Sequence, residues 1–426
     1  QDYMFTVTDT LTNASGEAVD VQPVAYMMQN SLPELLSPPP QAHAGVIGMY
    51  GPDRKNQTQK YKELAKAPTN PKKAVSEEAN EGWIGLTTKY WMAAAIPEQG
   101  EPVSMSATAL NANGRTTFRA GYAASPYAVA PGESLTKSTR IFAGAKRVEV
   151  LERYQKEEGV PDFTNAVDWS WLWFITKPFF WTMKFFEGHL GNFGLAILAL
   201  TVCVKLVFFP MQWKMYEAMS KMRKLAPEMK AIQERFKADK QRQQQEIMAL
   251  YKKEKANPLS GCLPMIPQMF VFYALFQTLS ATIEMRHTPF YGWIKDMSAP
   301  DPTSIWNLFG LLPFDPAAVP LVGWLIGGTG LLAIGLWPII YGITMFALQG
   351  MSTPPTDPMQ KAIMRFLPLV FLFIFAGFAA GLVIYWCWSN IITMIQQYYI
   401  MRKNGVETEF DKFIKKHVFK TKAPAE

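Results

Sequence analysis

Residues 259–283, 316–350 and 366–401 contain no Asp, Glu, Lys or Arg, and 192–212 contains one charge, Lys205. Crossing a bilayer takes about 20 residues of helix, and the helix itself must satisfy every backbone polar group on the way. The second half of the chain therefore reads as an α-helical polytopic membrane protein. Lys205 stands out within it, because a lysine at membrane depth costs roughly 2.5–3.5 kcal/mol on insertion scales. It either faces a protein-lined or wet cavity or snorkels along its own stem to the headgroups.

The first half belongs to a different solvent, with charges scattered among apolar residues through 1–160. Alternating patterns at 1–12, 18–29, 87–96, 104–110, 116–123 and 135–143 predict strands, and Asn111 to Gly114 is a good hairpin turn. The expected fold is an N-terminal antiparallel β-sandwich, with Ser31 to Pro71 as loop. The strand pattern begins at Gln1 with no start Met or signal peptide before it, so truncation at the N-terminus is expected. Residues 144–159 predict a short polar helix stopped by Gly159 and Pro161. Cys203, Cys262 and Cys387 lie in or at the start of apolar spans without metal-ligand spacing. No catalytic residue, cofactor or metal is expected.

From Asp168 to Glu187 the chain holds nine aromatics, with Lys177 and Lys184 seven apart on one helical face. Aromatic bodies prefer the interface and lysines prefer phosphate, so 161–190 is expected to lie in the headgroup plane, with Trp173, Lys177 and Lys184 facing lipid.

Residues 213–257 carry 12 Lys or Arg against 6 acidic residues and predict a cytoplasmic helical hairpin. Its first arm, Lys214 to Phe236, bears a stripe of Met215, Met219, Met222 and Met229; Asp239 caps a second arm ending at Asn257-Pro258. The basic tail, with seven Lys or Arg against four acidic residues from Arg402 onward, should share that side. An even number of crossings must then lie between them. One in 259–283, one in 316–350 and two in 366–401 hinged near Ala376-Gly377 give four, and 192–212 makes five. The formal charge of +7 thus encodes topology rather than sequence-specific nucleic-acid binding.

Polarity inside the spans collects in two places. Thr201, Lys205 and Gln212 share one face of the first span, and Trp386, Asn390, Thr393 and Gln397 form a stripe on the last with Tyr385 beside it. No acidic partner occurs in any span, which favours a hydrated groove over a buried ion pair.

Several segments carry a resemblance. They are Trp171 to Ile175, Val204-Lys205 to Pro210, Lys221 to Pro227, Asp239 to Arg242, Asn257 to Pro264 with Gln268-Met269, Thr356 to Gln360, and Gly381 to Tyr385 with Ser389-Asn390 and Gln396-Gln397. In order and spacing these resemble the YidC/Oxa/Alb insertases, in the bacterial form with a large periplasmic domain. The resemblance implies five core transmembrane helices around a lipid-open hydrophilic groove, with the functional cation at Lys205. Thr201, Gln268, Tyr385 and Trp386 match positions along the substrate path, and Asn390 joins them from the polar stripe. The family more often has Arg at position 205; lysine keeps the charge and loses the guanidinium fork. Pro267 precedes Gln268 where many members have Gln-Met-Pro, which shifts the expected kink about three residues early.

The implied partners are nascent membrane proteins, lipids, the Sec translocon, and ribosome or targeting machinery at the hairpin and tail. The implied location is the bacterial inner membrane, with the β domain periplasmic and the C-terminus cytoplasmic. Domains are expected at 1–160, 161–190, 191–402 and 403–426. A small-anion transporter or channel using the intramembrane lysine is the alternative, though inverted repeats are not detectable.

Overall fold

The computed structural model describes residues 2–31, 43–51, 55–112, 114–254, 265–328, 330–351, 358–406, 408 and 411. It divides into two units, Gln1–Lys177 with Gln277–Glu284, and Pro178–Phe276 with Met285–Glu426.

The first unit contains β1 (Met4–Thr12), β2 (Val19–Val21), β3 (Val24–Asn30), β4 (Gly45–Tyr50), β5 (Lys55–Lys60) and β6 (Val75–Ala79). They are followed by β7 (Trp83–Thr87), β8 (Trp91–Ile96), β9 (Val103–Ala112), β10 (Arg115–Ala124), β11 (Tyr127–Val129) and β12 (Ser134–Ala145). A six-stranded sheet of order β1-β12-β8-β7-β4-β5 and a four-stranded sheet of order β3-β10-β9-β6 form the sandwich; β11 and β2 pair separately. Val46, Ile84 and Ala95 of the first sheet meet Met105, Phe118 and Ala120 of the second in one buried core. β9 and β10 pair directly from Ala112 opposite Arg115, so the hairpin turn falls where the Asn-Gly signal put it; Asn113 itself lies outside the described residues.

Two expectations need correction here. The stretch from Ser31 to Pro71, expected as loop, contains β4, β5 and the short helix α1 (Tyr61–Leu64). β4 is buried on both faces and shows no alternation, while β5 is a polar edge strand held by its pairing with β4. Neither gives a period-2 signal. The expected strand 87–96 is also two elements, because Thr88 N donates to Trp91 O across a turn between β7 and β8. The polar helix is present as α2 (Val148–Glu157), followed by Gly159 at φ +65°.

Lys146, just before α2, is 2% exposed, and its ammonium donates to Thr88 O at 3.0 Å. Burial pushes its pKa from 10.5 down to about 8. The charged form is thus disfavoured by folding. The cost is fully present below the folded value and is relieved as pH rises towards 10.5, where the unfolded chain still holds the proton. Lys146→Met is therefore expected to stabilise the β unit at neutral pH by up to about 3 kcal/mol, with the gain shrinking above pH 8. Thermal melts of the full chain, followed by its β-sheet circular dichroism at several pH values, check this; a pH-independent gain would refute it.

The helical half runs α3 (Trp173–Leu190), α4 (Phe193–Val207), α5 (Phe209–Lys224), α6 (Ala226–Arg235) and α7 (Lys240–Lys253). It continues with α8 (Met265–Ala281), α9 (Gly323–Ile326), α10 (Leu336–Met351), α11 (Pro358–Ala376) and α12 (Ala380–Lys403). Among the described residues no single helix is long and apolar enough to cross a membrane, whereas α4 and α5 pass that test together across a 66° bend. The continuous span expected over 192–212 is therefore broken. Pro210 lacks an N–H and its ring clashes with the preceding turn, so the helix stops at Phe208 and restarts. α10 is the one long helix in the apolar region 316–350, preceded by the single-turn α9 and a short 3-10 turn, and the break between α11 and α12 falls next to Ala376-Gly377.

The hairpin also differs in detail. Leu225 separates α5 from α6, with Pro227 in the first turn of α6, so the first arm is two helices. Asp239 caps α7 by accepting from Arg242 N at 2.9 Å. The methionines are packing residues. Met222 and Met229 pack with Leu250 and Tyr251 between the arms, and Met219 packs with Tyr216 against Ile400 of α12. The Asn257-Pro258 stop, Cys262 and most of the basic tail lie outside the described residues.

Candidate functional site

Lys205 sits in the last turn of α4, where the unpaired carbonyl end of the helix favours a cation. It is 6% exposed. Its Nζ donates to Gln268 Oε1 of α8 and to Thr393 Oγ1 of α12, both at 2.9 Å. Gln268 Nε2 in turn donates to the Tyr385 hydroxyl at 3.4 Å. Thr393 and Thr201 each return their own hydroxyl proton to the preceding helical turn, at Ser389 O and Ile197 O. Three helices thus converge on one ammonium through neutral acceptors. Among the described residues no carboxylate faces it. A cavity of only about 10 Å³ adjoins it, lined by Phe179, Leu200, Thr201, Val204, Val271, Leu275 and Tyr385.

Thr201, Lys205, Gln268 and Tyr385 are therefore brought together, and the other two groove candidates are not. Trp386 stacks on Phe375 of α11 with ring centroids 3.9 Å apart, beside Phe272 at 5.0 Å. Asn390 Nδ2 donates to Thr344 Oγ1 of α10 at 3.1 Å, and Gln397 Nε2 to Met351 O at 2.9 Å. The stripe expected on the last span is split, because each residue turns about 100° around the helix axis. Tyr385, Ser389 and Thr393, spaced by four, form the face towards Lys205, and Trp386, Asn390 and Gln397 form the face towards α10 and α11. Thr393 is the residue that sequence reasoning placed on the wrong face; its spacing of eight from Tyr385 was the available signal. Gln212, expected on the lysine's face, lies beyond the bend in α5. Gln277, nine residues after Gln268 and so on the opposite face of α8, donates to Asp168 O at 2.8 Å.

The environment of Lys205 is also more closed than an open groove, since side chains occupy two of its three donors. Pro267 is the third residue of α8 (Met265–Ala281), and the residues just before α8 lie outside the described residues. On α3, Trp173 is 58% and Phe185 60% exposed, while Phe180 and Met183 are fully buried, so the aromatic helix has an outward and an inward face. Lys177 Nζ donates to Asn165 Oδ1 at 3.3 Å and Lys184 pairs with Glu187 at 2.7 Å, so both expected phosphate ligands hold protein partners.

Residues 185–407 match the family described as 60Kd inner membrane protein, and residues 1–182 match the YidC periplasmic domain. The chain belongs to the YidC family. The membrane protein insertase YidC of Maricaulis maris is 48% identical over 97% of this chain and 67% of its own length. That of Nitrobacter hamburgensis is 44% identical over 99% of this chain and 68% of its own. The chain thus spans about two thirds of the length of these YidC relatives. An active YidC insertase crystal structure with the first transmembrane domain resolved matches 76% of each chain at 18% identity and a TM-score of 0.43, too distant to carry an argument. YidC membership makes this an inner membrane protein with a periplasmic domain, and gives the small-anion transporter reading no support. YidC is an insertase family and not a known enzyme family.

Proposed function

We propose that the protein inserts nascent membrane proteins by attracting the polar flank of a substrate span to Lys205 and releasing the apolar segment sideways into lipid. The observation that carries this reading is a buried ammonium whose described hydrogen-bond partners are both neutral. Among the described residues its charge is left uncancelled and its third donor has no acceptor, which leaves it available to a carboxylate. An acidic flank drawn to such a site has less dry membrane left to cross, and burial of the apolar segment in lipid drives the rest. The route requires the Gln268 and Tyr385 side chains to part, opening a groove bounded by Thr201, Gln268 and Tyr385, with Trp386 and Asn390 holding its wall to α10 and α11.

In this reading α4 with the first turn of α5, together with α8, α10, α11 and α12, supply five crossings, and the rest of α5 belongs to the hairpin. The β unit is periplasmic, while the α6–α7 hairpin and the tail are cytoplasmic, where they meet ribosome or targeting machinery. The exposed aromatics of α3 sit among headgroups, and the Sec translocon is a partner in the same membrane. No cofactor takes part.

A photo-crosslinker at Thr201 is expected to capture a stalled nascent chain with an acidic flank far more strongly than one at Ile343, an exposed position on α10. Equal capture at the two positions would overturn the reading.

A further inference from the structure

Just before α10 the chain folds into a lobe, residues 305–334, whose surface is the reverse of a water-soluble domain's. It contains one ionisable side chain, Asp315, and that carboxylate is used internally, accepting from Ala317 N at 2.9 Å. Leu321 is 93%, Leu311 83%, Trp324 76% and Leu331 61% exposed. The backbone, in contrast, closes on itself. Leu312 N donates to Asn307 O, Gly323 N to Val319 O, Gly327 N to Gly323 O, and Leu332 N to Leu325 O. Both indole N–H groups are turned inward as well, Trp306 to Leu332 O and Trp324 to Leu321 O.

The lobe is compact and tethered. A Cβ on Gly323 would lie 2.2 Å from Ala317 O, so α9 packs on the 316–318 turn at a distance that only glycine allows. Ile305 N bonds to Ile334 O and closes its neck. The neck sits on the first turn of α10, whose N–H groups at Leu336 and Trp337 are taken by Thr303 Oγ1 and Asp301 Oδ2. Leu308, Phe309 and Leu321 hold φ of +49°, +59° and +65°. That conformation costs roughly 1–2 kcal/mol for a residue with a Cβ. The chain accepts this strain while leaving all three side chains exposed.

We propose that this lobe dips into the outer leaflet beside α10 as a monotopic anchor, with lipid acyl chains covering its apolar side chains. Apolar side chains outside and paired N–H groups inside suit the headgroup–acyl boundary, where remaining carbonyls still reach water. Two observations favour lipid over a protein partner. The surface offers a single charge, the exposed Asp315 carboxylate, for a protein to complement, and it is continuous with α10, whose Ile343 and Phe346 are 63% and 67% exposed. The inference rests on reading α10 as a membrane crossing.

The test uses the full chain with its three native cysteines replaced by Ala, reconstituted in phosphatidylcholine vesicles. Single cysteines at Leu321, Trp324, Ile343 and Lys295 are labelled with an environment-sensitive dye. Leu321→Cys and Trp324→Cys are expected to be quenched by doxyl-labelled lipid and to lose quenching by aqueous iodide, as Ile343→Cys does, while Lys295→Cys shows the opposite. Iodide quenching at 321 and 324 with lipid quenching kept at 343 overturns the lobe's placement and leaves the crossing intact. Iodide quenching at 343 overturns the crossing and the anchor with it. Shielding of 321 and 324 from both quenchers means that a second copy of the chain covers the lobe, and overturns the lipid assignment.

Discussion

Lys205→Glu is expected to abolish insertion of substrates with an acidic translocated flank while leaving the protein able to accumulate in the membrane. Two unit charges about 4 Å apart at an effective dielectric near 20 interact by roughly 4 kcal/mol, and the substitution reverses the sign. A loss well beyond tenfold follows. Glu also loses the two donations to Gln268 and Thr393, although Gln268 can rotate its amide to donate instead. Lys205→Met keeps the volume and removes the charge, so it should fall between the two, with a defect that grows with each acidic residue in the flank. Lys205→Arg should retain insertion, because the cation persists and a guanidinium tolerates partial dehydration. Liposomes carrying each variant, offered a short substrate with zero, one or two Asp residues in its flank, separate these outcomes. Equal yields for the unaltered chain and Lys205→Glu on the two-Asp substrate would sink the electrostatic mechanism. A lysine that merely snorkels would give the same equality for every variant once protein levels were matched.

The second large effect is on stability. Trp386→Ala should destabilise the helical half by about 3–5 kcal/mol, the usual cost of emptying a buried aromatic site. Its ring centroid lies 3.9 Å from that of Phe375, 5.7 Å from that of Phe378 and 6.1 Å from that of Tyr341, so three aromatic neighbours lose a shared partner. Trp386→Phe should lose much less. The thermal transition in detergent measures the first effect, and insertion per folded molecule measures what remains. A variant with an unchanged transition and lost insertion would return Trp386 to the substrate path, where the family resemblance puts it.

Those two tryptophan outcomes show why part of the site was legible and part was not. Features carried by local chemistry were readable: the Asp239 cap, the break beside Ala376-Gly377, the Asn-Gly hairpin, and a lone lysine in an apolar run. Each is decided by a few neighbouring residues. Features decided by what packs opposite were not. β4 is continuously apolar because both its faces are covered, and β5 is polar because β4 supplies its hydrogen bonds. Likewise, one helical stripe on α12 serves two different neighbours, and residues one position apart, such as Tyr385 and Trp386, end in different environments. The bend after Phe208 was available in principle from Pro210, but the apolar run hides it, since hydropathy does not register a missing N–H.

The neutral company of Lys205 matters for which way round a client protein ends up. A group that draws carboxylates inward without a counterion of its own repels ammonium and guanidinium groups with equal strength. Within the proposed route, a client's basic flank is held back on the side where it was made while its acidic flank is passed across. The bias of membrane proteins towards cytoplasmic lysine and arginine would then be read in part by the sign of a single uncompensated residue in the machinery, as well as by the membrane potential.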